Sequence, residues 1–163
     1  RTSIYNYFQT KEEIFLALLQ REYEAWTEDL EALRLALPAE GFAGGLARTL
    51  EKRGRMLKLL SMNLYDMEAN TRLENLVAFK RAYGASLAAV RRCLEAWLPA
   101  MTEEDIHAFL YAFFPFLFGV HPYTQATEKQ RAAMEAADID YPSYSIYELV
   151  KALVEKLLAP WLQ

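Results

Sequence analysis

Residues 10–37 read TKEEIFLALLQREYEAWTEDLEALRLAL, and their spacing decides the fold class. Thr10 is followed three residues later by Glu13, the arrangement in which a hydroxyl accepts from the third helical amide while the carboxylate reaches back. Behind this start, Ile14, Phe15, Leu18, Trp26, Leu30, Leu33 and Leu37 recur mostly at three- and four-residue steps, which is one face of an α-helix. Pro38 and Gly41 close it. The same pattern continues outward along the chain. Helices are predicted over Phe42–Leu60, Arg72–Leu98 (followed by Pro99), Glu103–Val120, Glu128–Ala137 and Ile146–Leu158, with a short segment at Met62–Met67. Thr71–Glu74, Thr127–Gln130 and Ser145–Glu148 repeat the start signal, so caps and apolar stripes agree on the boundaries. No alternating β-type run, internal repeat or low-complexity linker interrupts them. The chain is predicted to be all-α.

Composition narrows the function. The chain has 163 residues, 53% hydrophobic and 25% charged, enough for one packed domain, alone or with a fragment of another. A single cysteine, Cys93, excludes an intramolecular disulfide and fits a reducing cytoplasm, the expected location. The richest apolar run, Phe109–Val120, is too short to span a membrane and contains Pro115, so no membrane partner is expected. The net charge of −4 argues against coating nucleic acid over the whole surface. Arg1 and Lys11, with no acid among residues 1–11, give that end +2 and leave −6 for the rest, which suits phosphate contact at one end only. No glycine-rich phosphate loop or nucleophile elbow occurs, and Cys93, His107 and His121 form no zinc or thiol-catalysis pattern. Glu104 and His107 have the spacing of a di-iron bundle ligand pair, but such a site needs a second copy, and Phe118 stands where His121 would need a glutamate. No enzyme, metal or cofactor is expected.

Residues 1–14, RTSIYNYFQTKEEI, carry a different signal. Ile4 and Phe8, four apart, share an apolar helix face, while Tyr5 and Tyr7 are offset so that their hydroxyls can meet phosphate. Lys11 opens the next helix, where free amides, the positive dipole end and an ammonium group converge. A small residue, an aliphatic, Tyr, any residue, Tyr or His, Phe, two variable positions, Lys, two acids and an aliphatic follow one another here. This pattern resembles the end of the helix-turn-helix in the tetracycline-repressor (TetR) family. The resemblance implies that Arg1, Thr2 and Tyr5 face the DNA groove and that Tyr7 and Lys11 grip the backbone. It also implies that residues 1–11 end an incomplete DNA-binding domain, that two further helices precede Arg1 in an intact regulator, and that residues 12–163 form a helical ligand-binding and dimerisation domain. Operator DNA, a small-molecule effector and a second copy of the chain are the implied partners.

Within that domain, Met56, Tyr65, Tyr83, Phe113 and Phe116 are the candidate ligand lining, because methionine and aromatics adapt to irregular apolar shapes. Each is also a candidate for ordinary core, which is the commoner fate of such residues at helical spacing. Gly84, inside a helix, either admits a close crossing or leaves room for a ligand, and Arg53 could hold an anion. The segment Glu103–Val120 is apolar on two stripes, so a partner chain is expected to cover one of them. Leu110, Phe114 and Leu117, with Leu149 and Leu153 of the last helix, are the expected contacts of a four-helix bundle between two copies. Pro115 is expected to kink its helix. The function expected is a ligand-responsive repressor released from operator DNA by a small, mainly apolar molecule. The alternative is an all-helical dimeric interaction module, or a regulator with no gating ligand.

Overall fold

The computed structural model describes residues 7–162. Eight α-helices fill them, with a single 3₁₀ turn at His121–Tyr123 and no strand among the described residues. The helices are α1 (Lys11–Leu35), α2 (Gly41–Glu51), α3 (Gly54–Leu60), α4 (Leu64–Ala69), α5 (Leu73–Trp97), α6 (Glu103–Leu117), α7 (Glu128–Ala136) and α8 (Ile146–Leu158). None is long and apolar enough to cross a membrane.

The central element is α1. Leu16, Leu19, Tyr23, Trp26, Leu30 and Leu33 are its buried apolar residues, and it lies chiefly along α5 while also touching α2, α3 and α4. Ile14, Phe15 and Leu18 are only half-buried, so the inward stripe runs about one position off the sequence expectation in the first turns. Trp26 is fully buried and its indole N–H donates to Thr49 Oγ1 at 2.9 Å, while the Thr49 hydroxyl donates to the Leu46 carbonyl at 2.7 Å. A buried indole N–H without such an acceptor would lose about 1–3 kcal/mol.

The helix expected over Phe42–Leu60 is broken between α2 and α3. Lys52 and Arg53 both turn to Asp29 of α1, at 2.9 and 2.6 Å, and Arg53 Nη2 also reaches the Ala25 carbonyl at 3.4 Å. Those bonds draw the backbone out of the helix just before Gly54. They also engage the guanidinium expected to hold an anion, so Arg53 is a structural tie rather than a ligand group. The turn into α2 is tight for a second reason. Gly41 has φ +78°, and a Cβ on Gly45 would lie 2.6 Å from Leu33 Cδ1 and 2.8 Å from Pro38 Cγ. Only glycine lets α2 approach the end of α1 so closely.

Three helix starts carry complete caps: Thr102–Asp105, Thr127–Gln130 and Ser145–Glu148. The first lay outside the Glu/Gln pattern because aspartate does the same work there. The box expected at Thr71–Glu74 does not form. The Thr71 hydroxyl instead bonds back to the Met67 carbonyl at 2.7 Å, and Arg72 stands at the N-cap of α5.

Helix α6 corrects a second expectation. Ile106, Phe109, Leu110, Phe113, Phe114 and Leu117 are all buried within the chain itself. The core therefore takes up both apolar stripes except at half-buried Phe116, and Leu110, Phe114 and Leu117 are covered by their own chain. The exposed residues of α6 include His107, Ala108, Tyr111, Ala112 and Pro115, and Gly119 is exposed just beyond its end.

Helix α7 differs from the rest. None of its side chains is buried, and it makes only marginal contact with other elements. Its ends are nonetheless closed locally. Thr127 and Gln130 form the start, and Asp138 adopts φ 55° beyond the end. There Ile139 N donates to Met134 O at 2.9 Å and Asp138 N to Glu135 O at 3.1 Å, the paired bonds of a Schellman motif.

Candidate functional site

Two regions carry the arrangements of interest, and α1 joins them. The first is the junction between residues 7–13 and the start of α5. Thr10 caps α1, accepting from Glu13 N at 3.2 Å, while its hydroxyl donates to the Asn70 carbonyl at 3.2 Å. Glu13, whose side chain is 1% exposed, does not complete a capping box. Its carboxylate accepts instead from Gln9 N at 2.8 Å and from Arg72 N, Nε and Nη2 at 3.1, 2.8 and 3.1 Å. Arg72 Nη2 also donates to the Tyr7 carbonyl at 3.1 Å. The Arg72 hydrogen bonds, helped by the two amides, outweigh burial and hold the Glu13 carboxyl at a pKa of about 2. One buried carboxylate thus ties the approach to α1, its first turn and the start of α5 into one unit. Nothing in the sequence signals this pair, because 59 residues separate the partners.

The second region is a small cavity of about 110 Å³ in the seam between α5 and α6. Tyr83 and Leu87 line it from α5, Leu110, Tyr111, Phe114 and Pro115 from α6, and Phe118 closes the end. For scale, an apolar cavity of about 150 Å³ holds a benzene molecule. Burial raises the pKa of the Tyr83 phenol, which therefore stays neutral and can both donate and accept a hydrogen bond. Tyr83 and Phe114 meet edge to face with centroids 5.7 Å apart, and each also touches α1: Tyr83 against Tyr23 and Phe114 against Trp26, both at 5.7 Å. The cavity wall and the central helix are one aromatic cluster.

Of the five lining residues expected from sequence, only Tyr83 borders this cavity. Phe113 is fully buried and stacks on Phe109 at 5.2 Å, and Met56 is fully buried in α3. Phe116 faces a separate surface groove with Pro115, Gly119, Tyr123 and Leu149. Tyr65 is 84% exposed, because short α4 turns Met67 inward, and two residues along a helix is half a turn away. Gly84 has open space where a Cβ would stand, so it does not mark a close crossing. Leu149 and Leu153 remain half-buried on α8.

Among the DNA-facing positions, Arg1, Thr2 and Tyr5 lie outside the described residues. Tyr7 is 71% exposed, and Lys11 is exposed at the first position of α1. His107 is exposed and stacks on Tyr111 at 4.4 Å, and no group of three or more metal-type side chains occurs among the described residues. Cys93 is buried, its thiol donating to the Leu30 carbonyl at 3.2 Å, with a pKa pushed up to about 11 by burial.

Residues 20–159 match the family model described as the tetracyclin repressor-like C-terminal domain. The chain belongs to the TetR family of regulators. No curated protein sequence matches it.

Proposed function

We propose that the chain is the greater part of a dimeric, ligand-responsive repressor of transcription. In this scheme residues 1–11 close a helix-turn-helix head that reads operator DNA, and residues 12–163 form the ligand-binding and dimerisation body. The observation that carries the proposal is the aromatic cluster. Tyr83 and Phe114 wall the cavity and rest directly on Tyr23 and Trp26 of α1, the helix whose other end is Lys11. A ligand that opens the α5–α6 seam therefore displaces α1. It releases DNA only to the extent that it binds the displaced state more tightly. The lining is apolar apart from the Tyr83 and Tyr111 hydroxyls, which favours a small, largely apolar or aromatic effector.

The second copy is proposed to pack on the outward face of α6 and on α8. There Ala108, Ala112, Pro115 and Gly119 let backbones approach, and Leu149 and Leu153 supply half-buried apolar surface.

The test is a panel of small aromatic compounds scored for thermal shift and for operator release by the intact regulator. Tyr83→Ala is expected to blunt release while leaving affinity without compound nearly unchanged. If no compound separates the two measurements, the regulator without a gating ligand is the correct reading.

A further inference from the structure

The side chains that line the α5–α6 cavity offer only two polar groups, the phenol hydroxyls of Tyr83 and Tyr111, and include no lysine, arginine, aspartate or glutamate. Among the described residues, the one side-chain hydrogen bond to Tyr83 is accepted by its backbone carbonyl, from Ser86 Oγ at 2.7 Å, so the phenol itself is left unpartnered. Tyr111 is 66% exposed and stands at the solvent side of the cavity, its ring stacked on His107 at 4.4 Å. Tyr83 lies deeper. Burial first, then the nearness of the Tyr111 phenol and of Glu68, raises its pKa. Two hydroxyls thus border one small apolar space, each able to donate and to accept. Lys80, whose ammonium lies 5.6 Å from the centroid of the Tyr83 ring, is paired with Glu68 at 2.6 Å. Its charge is already balanced, so an anion entering the cavity would lose hydration without gaining a counter-ion.

We propose that this cavity takes an uncharged molecule about one ring in size that carries one hydroxyl, held between Tyr83 and Tyr111, and that it rejects the matching carboxylate; this rests on the ligand-responsive reading given above. Size sets the first limit. At about 110 Å³ the space is smaller than the roughly 150 Å³ that admits benzene to an apolar core, so one ring already parts the seam and two fused rings do not fit. The hydroxyl sets the second. A neutral hydrogen bond is worth about two- to tenfold in affinity, and a ligand without a hydroxyl leaves the Tyr83 phenol unpartnered beside it. The ring of the ligand meets Phe114, Phe118, Leu87 and Leu110. Tyr83 also stands edge-on to Tyr23 of α1, with centroids 5.7 Å apart, so the residue that recognises the hydroxyl touches the central helix directly.

Calorimetric titration of the chain with phenol, toluene and benzoate at pH 7 tests this. Phenol should bind roughly tenfold or more tightly than toluene, and benzoate should give no binding heat. Tyr83→Phe keeps the ring and should bring phenol to within about threefold of toluene while leaving toluene affinity unchanged. Tyr111→Phe, at an exposed position that the fold does not depend on, should lose part of the same preference. Leu87→Phe puts a ring into the cavity and should abolish phenol binding. Phenol that binds this variant as tightly as the parent sits elsewhere and overturns the assignment. Toluene as tight as phenol, benzoate tighter than either, or a full phenol preference kept in both tyrosine variants overturns the role of the hydroxyls and leaves the seam standing as an apolar ligand site. A parent chain that binds none of the three probes overturns the inference; it takes the ligand-responsive reading with it only if the wider compound panel releases no operator either.

Discussion

Glu13→Gln removes the charge from the junction while keeping its shape. The carboxyl falls from its ordinary value of 4.5 to about 2 in the folded chain. At about 1.4 kcal/mol per pH unit this is a ceiling of roughly 3 kcal/mol. Arg72 is 35% exposed, so solvent screens part of the interaction, and about 2 kcal/mol is the expected loss at pH 7. The sign is set by the direction of the shift. A carboxyl held below its unfolded value contributes stability at pH above 4.5 and loses it as pH falls toward 2. Urea unfolding of parent and variant at pH 7 should therefore differ by about 2 kcal/mol, with a Tm gap of roughly 4–8 °C, and the gap should shrink below pH 4.5. In the intact regulator the same change should loosen the head and lower operator affinity. A variant within 0.5 kcal/mol of the parent at pH 7, or a gap that ignores pH, would refute the assignment of the clamp.

Three further outcomes follow from single contacts. Thr49→Val strips the acceptor from the buried Trp26 indole and should cost about 1–3 kcal/mol in urea unfolding; a neutral result would mean that the indole finds another partner. Asp138→Gly relieves a left-handed residue at the end of α7, and amide exchange should show that helix slower to open, by about 0.5–1 kcal/mol. In the intact regulator, Lys11→Ala should weaken DNA binding about equally on all sequences and lower the salt slope by about 1, measured by titration at several salt concentrations; an unchanged slope would remove Lys11 from the phosphate contacts.

The helices were legible because period and punctuation agree. Ser145, Thr127, Pro38 and Pro99 mark ends that the structure keeps within a few residues. The break at Lys52–Arg53 was not legible, since it is made by Asp29, more than twenty residues away. The phase of α6 misled for a related reason. Two apolar stripes suggest two covers, but its own chain buries every member of both except half-buried Phe116. The exposed residues include Ala108, Ala112 and Pro115, which carry little hydrophobic signal of their own, beside His107 and Tyr111. Tyr83 was found as a lining residue because it lies on the stripe of the long fifth helix. Its neighbours Leu87 and Phe114 were absorbed into core or interface because spacing alone does not say which seam is loosely filled. The Glu13–Arg72 clamp is invisible in sequence, where Glu13 reads as a cap.

The glycine contact at the far end of α1 has a mechanical consequence. With Gly45 pressed against Leu33 and Pro38, that corner has no slack, so any tilt of α1 must pivot there and show itself at Lys11. At 1.5 Å per residue, the 25 residues of α1 make a lever about 37 Å long. A tilt of about 5° at the pivot sweeps the Lys11 end by about 3 Å, and two such levers in a two-fold dimer change the separation of their tips by up to about 6 Å. Successive major grooves lie about 34–36 Å apart, so in the proposed dimeric repressor a movement of that size takes two reading heads out of register. A ligand need shift the Tyr23–Tyr83 contact, about midway along the lever, by only half the distance that the tip travels.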